Sequence, residues 1–142
     1  MPSYPLRRLF WAGPSATLAA VLLDALYYLA TKAAGETYLI PYDASGIHPA
    51  LSLPLLNVIV AVSAAGLFAS AFLALLLRFS RAPLIIFVSV ALTAFILSLG
   101  GPFNLPGAPL HTKLHLATMH LLAAVILTGG ILWLTRLTKR KS

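Results

Sequence analysis

The sequence predicts an all-α polytopic membrane protein, a four-helix transmembrane bundle with both termini in the cytoplasm. Of its 142 residues, 60% are hydrophobic and only 9% are charged, which leaves too little polar surface for a soluble domain. Four apolar runs are long enough to cross a hydrocarbon layer of about 30 Å. They lie at about residues 10–32, 53–77, 83–101 and 114–135, within a single transmembrane domain of residues 1–142.

The distribution of basic residues predicts the orientation of the bundle. A net charge of +7 would suit a nucleic-acid partner if the charges formed one patch. Only Lys32 and Lys113 flank the spans on one side, however, and the other side carries Arg7, Arg8, Arg78, Arg81, Arg136, Lys139, Arg140 and Lys141. This is the positive-inside pattern, and it predicts a multi-pass protein of the cell inner (plasma) membrane. The predicted partner is therefore the lipid bilayer, with no nucleic acid.

Several chemistries lack their sequence signatures. The chain has no cysteine, which removes disulfides, thiolate metal sites and thiol nucleophiles. It also has no His-Glu-x-x-His sequence, no phosphate-binding glycine loop and no nucleophile motif. These observations favour a protein that is not an enzyme and has no resident cofactor.

The first span contains Asp24, the only acidic residue within an apolar run. A central Asp costs about 2.5–3.5 kcal/mol on the membrane-insertion scale, so we expect it to face the bundle interior and to have a partner. Tyr27 and Tyr28 follow at three and four residues, share its helix face and can donate hydrogen bonds. Asn57 in the second span is a further candidate neighbour.

The fourth span contains His120, which we expect to meet Asp24. At 1.5 Å per residue, His120 lies about 10 Å below Lys113, and Asp24 lies about 12 Å below Lys32 on the same side of the membrane. The two side chains should therefore sit at similar depth. Such a pair could be a proton relay, a ligand anchor, or a structural contact in which carboxylate and imidazole satisfy each other.

His111 and His115 begin the same segment four residues apart, a spacing by which one helix offers two imidazoles to a metal ion. An outer-surface zinc site would need a further ligand, and His48, Asp43 or Glu36 from the first outer loop could supply it. The alternative is a pair of ordinary interfacial histidines at a helix start. Both interpretations stay open at this stage.

Small residues mark one flank of the second span, where Ser63, Gly66, Ser70 and Ala74 recur at steps of three or four. Such a flank is typical of close contact with another membrane helix, and lining a substrate path is the alternative. The first outer loop, residues 34–52, is predicted to lie along the interface as a lid. The sequence Gly100-Gly101-Pro102 is predicted to end the third helix in a rigid turn or a short cap.

Two segments resemble a known family. Ser98-Leu-Gly-Gly-Pro102 and Thr118-Met-His-Leu-Leu-Ala-Ala124 are similar to the domain of unknown function 6069 family of small four-span bacterial membrane proteins. The basic start and the polar residue of the first span look similar too. The resemblance implies four spans and a histidine at the position of His120, and it implies no established activity.

These observations favour a small-molecule-binding, lipid-binding or accessory membrane protein with an outward-facing polar site. One alternative is a proton-coupled small-solute transporter that uses Asp24 and His120 and acts as a homo-oligomer, because four spans are few for a transport pathway. A second alternative is a metal-dependent membrane enzyme with an outer-surface site. A homo-oligomer or a partner membrane protein fits each of the three.

Overall fold

The structure is a computed structural model that describes residues 6–40 and 51–136, with side chains for residues 10–40 and 51–135. In this part of the chain it contains five helices and two short strands. In order these are α1 Leu6–Ala33, β1 Leu39–Ile40, β2 Leu51–Ser52, α2 Leu55–Phe79, α3 Pro83–Ser98, α4 Gly100–Phe103 and α5 Leu110–Arg136.

Four helical segments are long and apolar enough to cross a membrane, as the sequence predicted. They are Phe10–Ala33, Leu55–Phe79, Pro83–Phe103 and Leu110–Thr135. The fourth begins four residues before the predicted 114, because Pro109 precedes a polar first turn that is helical although it is not apolar. The cytoplasmic location of the termini and the identity of the membrane stay predictions.

The four spans differ in how much protein surrounds them. Helix α1 packs against α2 and α5, whereas α3 packs against α2 and α5 through fewer contacts. Only 6% of the most apolar window of the third span is buried, against 28% for the first. Helix α3 therefore presents most of its surface to lipid, and its loose packing leaves space between α2, α3 and α5.

Helices α1 and α2 approach closely through glycines. A Cβ atom added at Gly66 would lie 2.8 Å from the Cβ atom of Thr17, and one added at Gly13 would lie 2.7 Å from the Cβ atom of Ser70. Both distances are too short for real atoms, so each helix needs glycine at these positions. The predicted contact along the small flank of α2 is thereby confirmed, with α1 as the neighbouring helix.

The first outer loop closes one end of the bundle with a short pair of strands. Strands β1 and β2 pair antiparallel, with Leu39 opposite Ser52 and Ile40 opposite Leu51. Just before β1, the buried ring of Tyr38 stacks on Tyr28 of α1, with ring centroids 4.8 Å apart. We call this the hairpin end of the bundle, and residues 41–50 of the loop lie outside the described residues.

The connection from α3 to α5 corrects one expectation. Helix α3 does end at Ser98, yet Leu99 keeps helical backbone angles and Gly100–Phe103 forms a further turn of helix rather than a break. Pro102 is accommodated because it stands in the first turn of α4, where the backbone N–H has no partner within the helix. This turn lies at the hairpin end, above the space between the helices.

The glycine contact yields a matched pair of substitutions. Gly66→Ala should destabilise the protein by roughly 1–3 kcal/mol, because the new methyl group forces α1 and α2 apart. Gly129→Ala should leave stability unchanged or raise it by up to about 1 kcal/mol, since nothing lies within 4 Å of a Cβ atom there. Thermal unfolding midpoints in detergent test both variants, and equal midpoints would refute the close approach.

Candidate functional site

A cavity of about 630 Å³ occupies the space between α2, α3 and α5. Its volume falls within the range of about 300–1,000 Å³ that is usual for small-molecule sites. Helix α4 and the residues Ile40 and Leu53 border it at the hairpin end. Its wall is mostly alanine, valine, leucine and phenylalanine, and the polar residues that line it are Asp24, Asn57, Ser98, His120 and Thr128.

Asp24 reaches this cavity because it stands on the buried stripe of α1. Ala16, Ala20, Asp24 and Tyr28 recur at four-residue steps, and each is at most 3% exposed. This periodicity turns one face of α1 toward α2 and α5. Asp24 itself is 0% exposed, and neither of its carboxylate oxygens has a hydrogen-bond partner among residues 6–40 and 51–136.

His120 lines the same cavity but does not contact the carboxylate. Its Nδ1 atom donates a hydrogen bond to the backbone carbonyl of Leu116, one turn earlier in α5, at 2.8 Å. In a neutral ring this leaves Nε2 as an acceptor. The expectation that Asp24 and His120 satisfy each other is therefore wrong: the imidazole bonds to its own helix, and both groups border the cavity separately.

The hydroxyls of Tyr27 and Tyr28 form hydrogen bonds with residues other than Asp24. The Tyr27 hydroxyl is hydrogen-bonded to Nδ1 of His115 at 2.7 Å, and the Tyr28 hydroxyl donates to the Leu53 carbonyl at 2.6 Å. Neither lines the cavity. They share a helix face with Asp24, but their long side chains carry the hydroxyls toward the hairpin end. Among the predicted neighbours of Asp24, the structure brings Asn57 and His120 to the cavity and leaves both tyrosines out.

A second polar group surrounds Glu36 at the hairpin end. Its Oε1 atom accepts hydrogen bonds from the Thr112 hydroxyl at 2.7 Å and from the Tyr38 backbone N–H at 3.0 Å. Its Oε2 atom lies 3.3 Å from Nε2 of His111 and 3.8 Å from Nε2 of His115. We call these five residues the Glu36 cluster. It fastens the start of the first outer loop to the first turns of α5.

These contacts change the acidity of Glu36. Burial by itself would raise the pKa, but the hydrogen bonds from Thr112 and Tyr38 and the charges of His111 and His115 outweigh it. The pKa of Glu36 therefore lies below its ordinary value of 4.5. The carboxylate is the stable form of this side chain in the folded protein.

The Glu36 cluster contains His111 and His115, the two histidines of the predicted zinc site. Within residues 6–40 and 51–136, no group of three or more histidine and acidic side chains is arranged to hold a metal ion. His111 and His115 approach Glu36 as ion-pair partners. His48 and Asp43 lie outside the described residues, so a zinc site that includes them stays a prediction.

Sequence reasoning named three of the five residues of the Glu36 cluster but missed Tyr38, Thr112 and the way in which the five are bonded. Glu36 entered only as an added zinc ligand, and Tyr38 and Thr112 did not enter at all. One signal was available for Glu36, since the first outer loop carries two acids, Glu36 and Asp43, and the next outer segment carries two histidines with helical spacing. Thr112 and Tyr38 offered none, because a hydroxyl between two polar residues and an aromatic ring in a loop are both common.

Comparison with known proteins identifies a family for the chain but no activity. The sequence profile of a family described as "Family of unknown function (DUF6069)" matches residues 5–137. The curated proteins contain no match to this chain, and neither do the solved structures.

The Glu36 cluster predicts how stability depends on pH. Because the folded pKa of Glu36 is lowered, its stabilising contribution is complete above the unfolded value of about 4.5 and is lost as the pH falls through the folded value. Between pH 6 and pH 3, the thermal midpoint should fall more for the wild type than for Glu36→Gln. Parallel curves for the two proteins would contradict this.

A second measurement at neutral pH isolates the hydrogen bond to Glu36. Thr112→Val should cost about 1.5–3 kcal/mol, because a charged acceptor loses its buried donor. Thr118→Val on the same helix is the control, since the Thr118 hydroxyl donates only to the Leu114 carbonyl of its own helix. It should change stability by less than about 1 kcal/mol.

Proposed function

The chain belongs to the family of unknown function DUF6069, and because membership assigns no activity, we propose a function from the cavity itself. The protein binds a small, largely apolar molecule within its helix bundle and does so without chemical conversion. One observation carries the proposal: the cavity between α2, α3 and α5 has an apolar wall, and it is lined by Asp24, whose buried carboxylate has no hydrogen-bond partner among residues 6–40 and 51–136.

The position of the cavity supports binding. It extends from Ile40 and Leu53 at the hairpin end to Phe72, Phe87 and Leu127 in the middle of the spans. Helix α3, which forms one wall, is the span with the least protein packed around it. This sparse packing favours lateral entry of a ligand from the lipid beside α3.

The polar residues of the cavity favour binding over catalysis. Asp24 and His120 are its titratable side chains, and they form no hydrogen bond with each other. The hydroxyl of Ser98 also lines the cavity, but it donates to the Phe95 carbonyl of its own helix at 2.7 Å. Nucleophilic catalysis needs a nucleophile within hydrogen-bond reach of its base, and in the described structure the Ser98 hydroxyl bonds to its own helix instead.

Transport is the second candidate, and one observation favours it. Asp24 and His120 border one cavity without a hydrogen bond between them, so both ionisable groups can face one bound solute. Proteoliposomes with an imposed pH gradient would show proton-driven uptake of a lipophilic solute, which Asp24→Asn would abolish. Binding without flux would exclude transport by this protein alone and leave the binding role.

Filling the cavity should abolish binding. Ala64 and Ala65 of α2 are both exposed, but of the two only Ala65 lines the cavity. The thermal midpoint of the wild type should rise when 1-adamantanol or 1-adamantylamine is added, because a ligand at a hundred times its Kd stabilises by about 2.7 kcal/mol. This rise should disappear in Ala65→Phe and persist in Ala64→Phe.

A second cavity-filling variant shows whether the loss of binding in Ala65→Phe comes from the filled cavity or from a local folding defect. Ala94 lines the cavity from α3, so Ala94→Phe should remove the same response from the opposite wall. Native mass spectrometry of the protein extracted with its lipids would supply an independent readout, as any retained small molecule should be lost in both filled variants. A response that survives in both variants would place binding outside this cavity.

A further inference from the structure

The structure also points to the class of ligand. We propose that the cavity selects a lipophilic amine in its cationic form, with the ammonium group held by the Asp24 carboxylate and the hydrocarbon body held by the apolar wall. This inference rests on the proposed binding function and adds the charge and shape of the ligand to it.

The first argument is the state of the carboxylate. Asp24 is fully buried, and both of its oxygens lack a donor in the described parts of the chain. A buried carboxylate without a counter-charge or hydrogen bonds is strongly destabilising. An ammonium group supplies both a positive charge and three donors, so it remedies this deficit in one contact.

The second argument is that the basic side chains near the cavity have other partners. Lys32 lies over the ring of Tyr28 and donates to its hydroxyl at 3.4 Å, and Lys113 donates to the Phe103 carbonyl at 3.3 Å. Arg78, at the far end of α2, stacks over Phe79. None of these cations reaches Asp24. Because no cation among the described side chains pairs with Asp24, we assign the role of counter-ion to the ligand.

The third argument concerns His120. Its Nδ1–H group is committed to the Leu116 carbonyl, so the neutral ring offers an unprotonated Nε2 as a second acceptor in the same cavity. These two acceptors, the Asp24 carboxylate and Nε2 of His120, suit a ligand with several donors. An alkylammonium has three donors and no acceptor, whereas an alcohol has one donor and a ketone or carboxylate has none.

The fourth argument limits the shape of the ligand. The wall includes the phenylalanines Phe68, Phe72, Phe87 and Phe95, and the remaining lining is mostly aliphatic. A small polar amine would leave most of a 630 Å³ cavity unfilled. Burial of apolar surface favours a bulky hydrocarbon body, and aromatic faces add to the attraction for a cation. The ligand is therefore a compact amine with one charged group.

A matched pair of probes tests this choice. 1-Adamantylamine and 1-adamantanol have the same hydrocarbon cage and differ in a cationic or neutral head group. Affinities would be measured by thermal shift and by competition in an uncharged detergent at pH 7. The wild type should bind the amine at least about tenfold more tightly than the alcohol, because the ammonium group pairs with the buried Asp24 carboxylate.

Two variants test whether Asp24 causes the preference for the amine. Asp24→Asn keeps the side-chain shape and removes the charge, so it should bind both probes with similar affinity. Glu36→Gln is the charge control, because Glu36 is also buried and acidic but does not line the cavity. It should keep the preference for the amine. A preference that persists in Asp24→Asn would overturn the proposal.

The outcomes separate this inference from the binding function. If neither probe binds and the filled variants behave like the wild type, the binding function itself fails. If both probes bind equally and Ala65→Phe abolishes binding of both, the cavity binds ligands but the choice of an amine is wrong. Tighter binding of the alcohol would indicate that Asp24 acts as a neutral donor.

A ligand-free measurement completes the test. Because the carboxylate has no partner in the described part of the chain, Asp24→Asn should not lower the thermal midpoint of the protein without ligand, and it should remove only the stabilisation by the amine. A large loss of stability in the ligand-free variant would show that Asp24 is a structural contact, and this would overturn the role as ligand anchor.

Discussion

The close approach of α1 and α2 is the contact on which the rest of the structure depends. Glycines at positions 13 and 66 let the side chains of Ser70 and Thr17 reach the opposite backbone, so only one short side chain separates the two helices at each of these points. On the α5 side, a Cβ atom at Gly130 would lie 3.1 Å from the Cβ atom of Ala16. Helix α1 is thus held closely between α2 and α5, as small residues allow in membranes.

This arrangement explains both polar sites. With α1 on one side of α2 and α5, helix α3 packs on the other side and leaves the cavity between them. The buried stripe of α1 contributes to both sites. Asp24 borders the cavity, and the ring of Tyr28, one turn later, stacks on the ring of Tyr38. The cavity and the hairpin end are therefore positioned by one face of one helix.

The sequence predicts the spans well because membrane insertion depends on local apolarity, which can be read residue by residue. It also predicts that Asp24 faces inward, because the cost of exposing a carboxylate to lipid is large. It does not predict the partners. Tyr27 and Tyr28 share the face of Asp24, but the reach of a side chain and the position of a carbonyl such as Leu53 are tertiary properties. The same limit explains the missed contact between Glu36 and Thr112.

The two buried acids of the described chain make the strongest contrast in the molecule. Glu36 has two hydrogen-bond donors and two imidazoles around it, and it fastens a loop to α5. Asp24 is buried more completely and has no donor. A structural acid in a membrane protein is stable only when its partners come with the fold, as they do for Glu36. Since the described fold supplies none for Asp24, while a cavity lies directly beside it, the missing partner is best understood as a ligand.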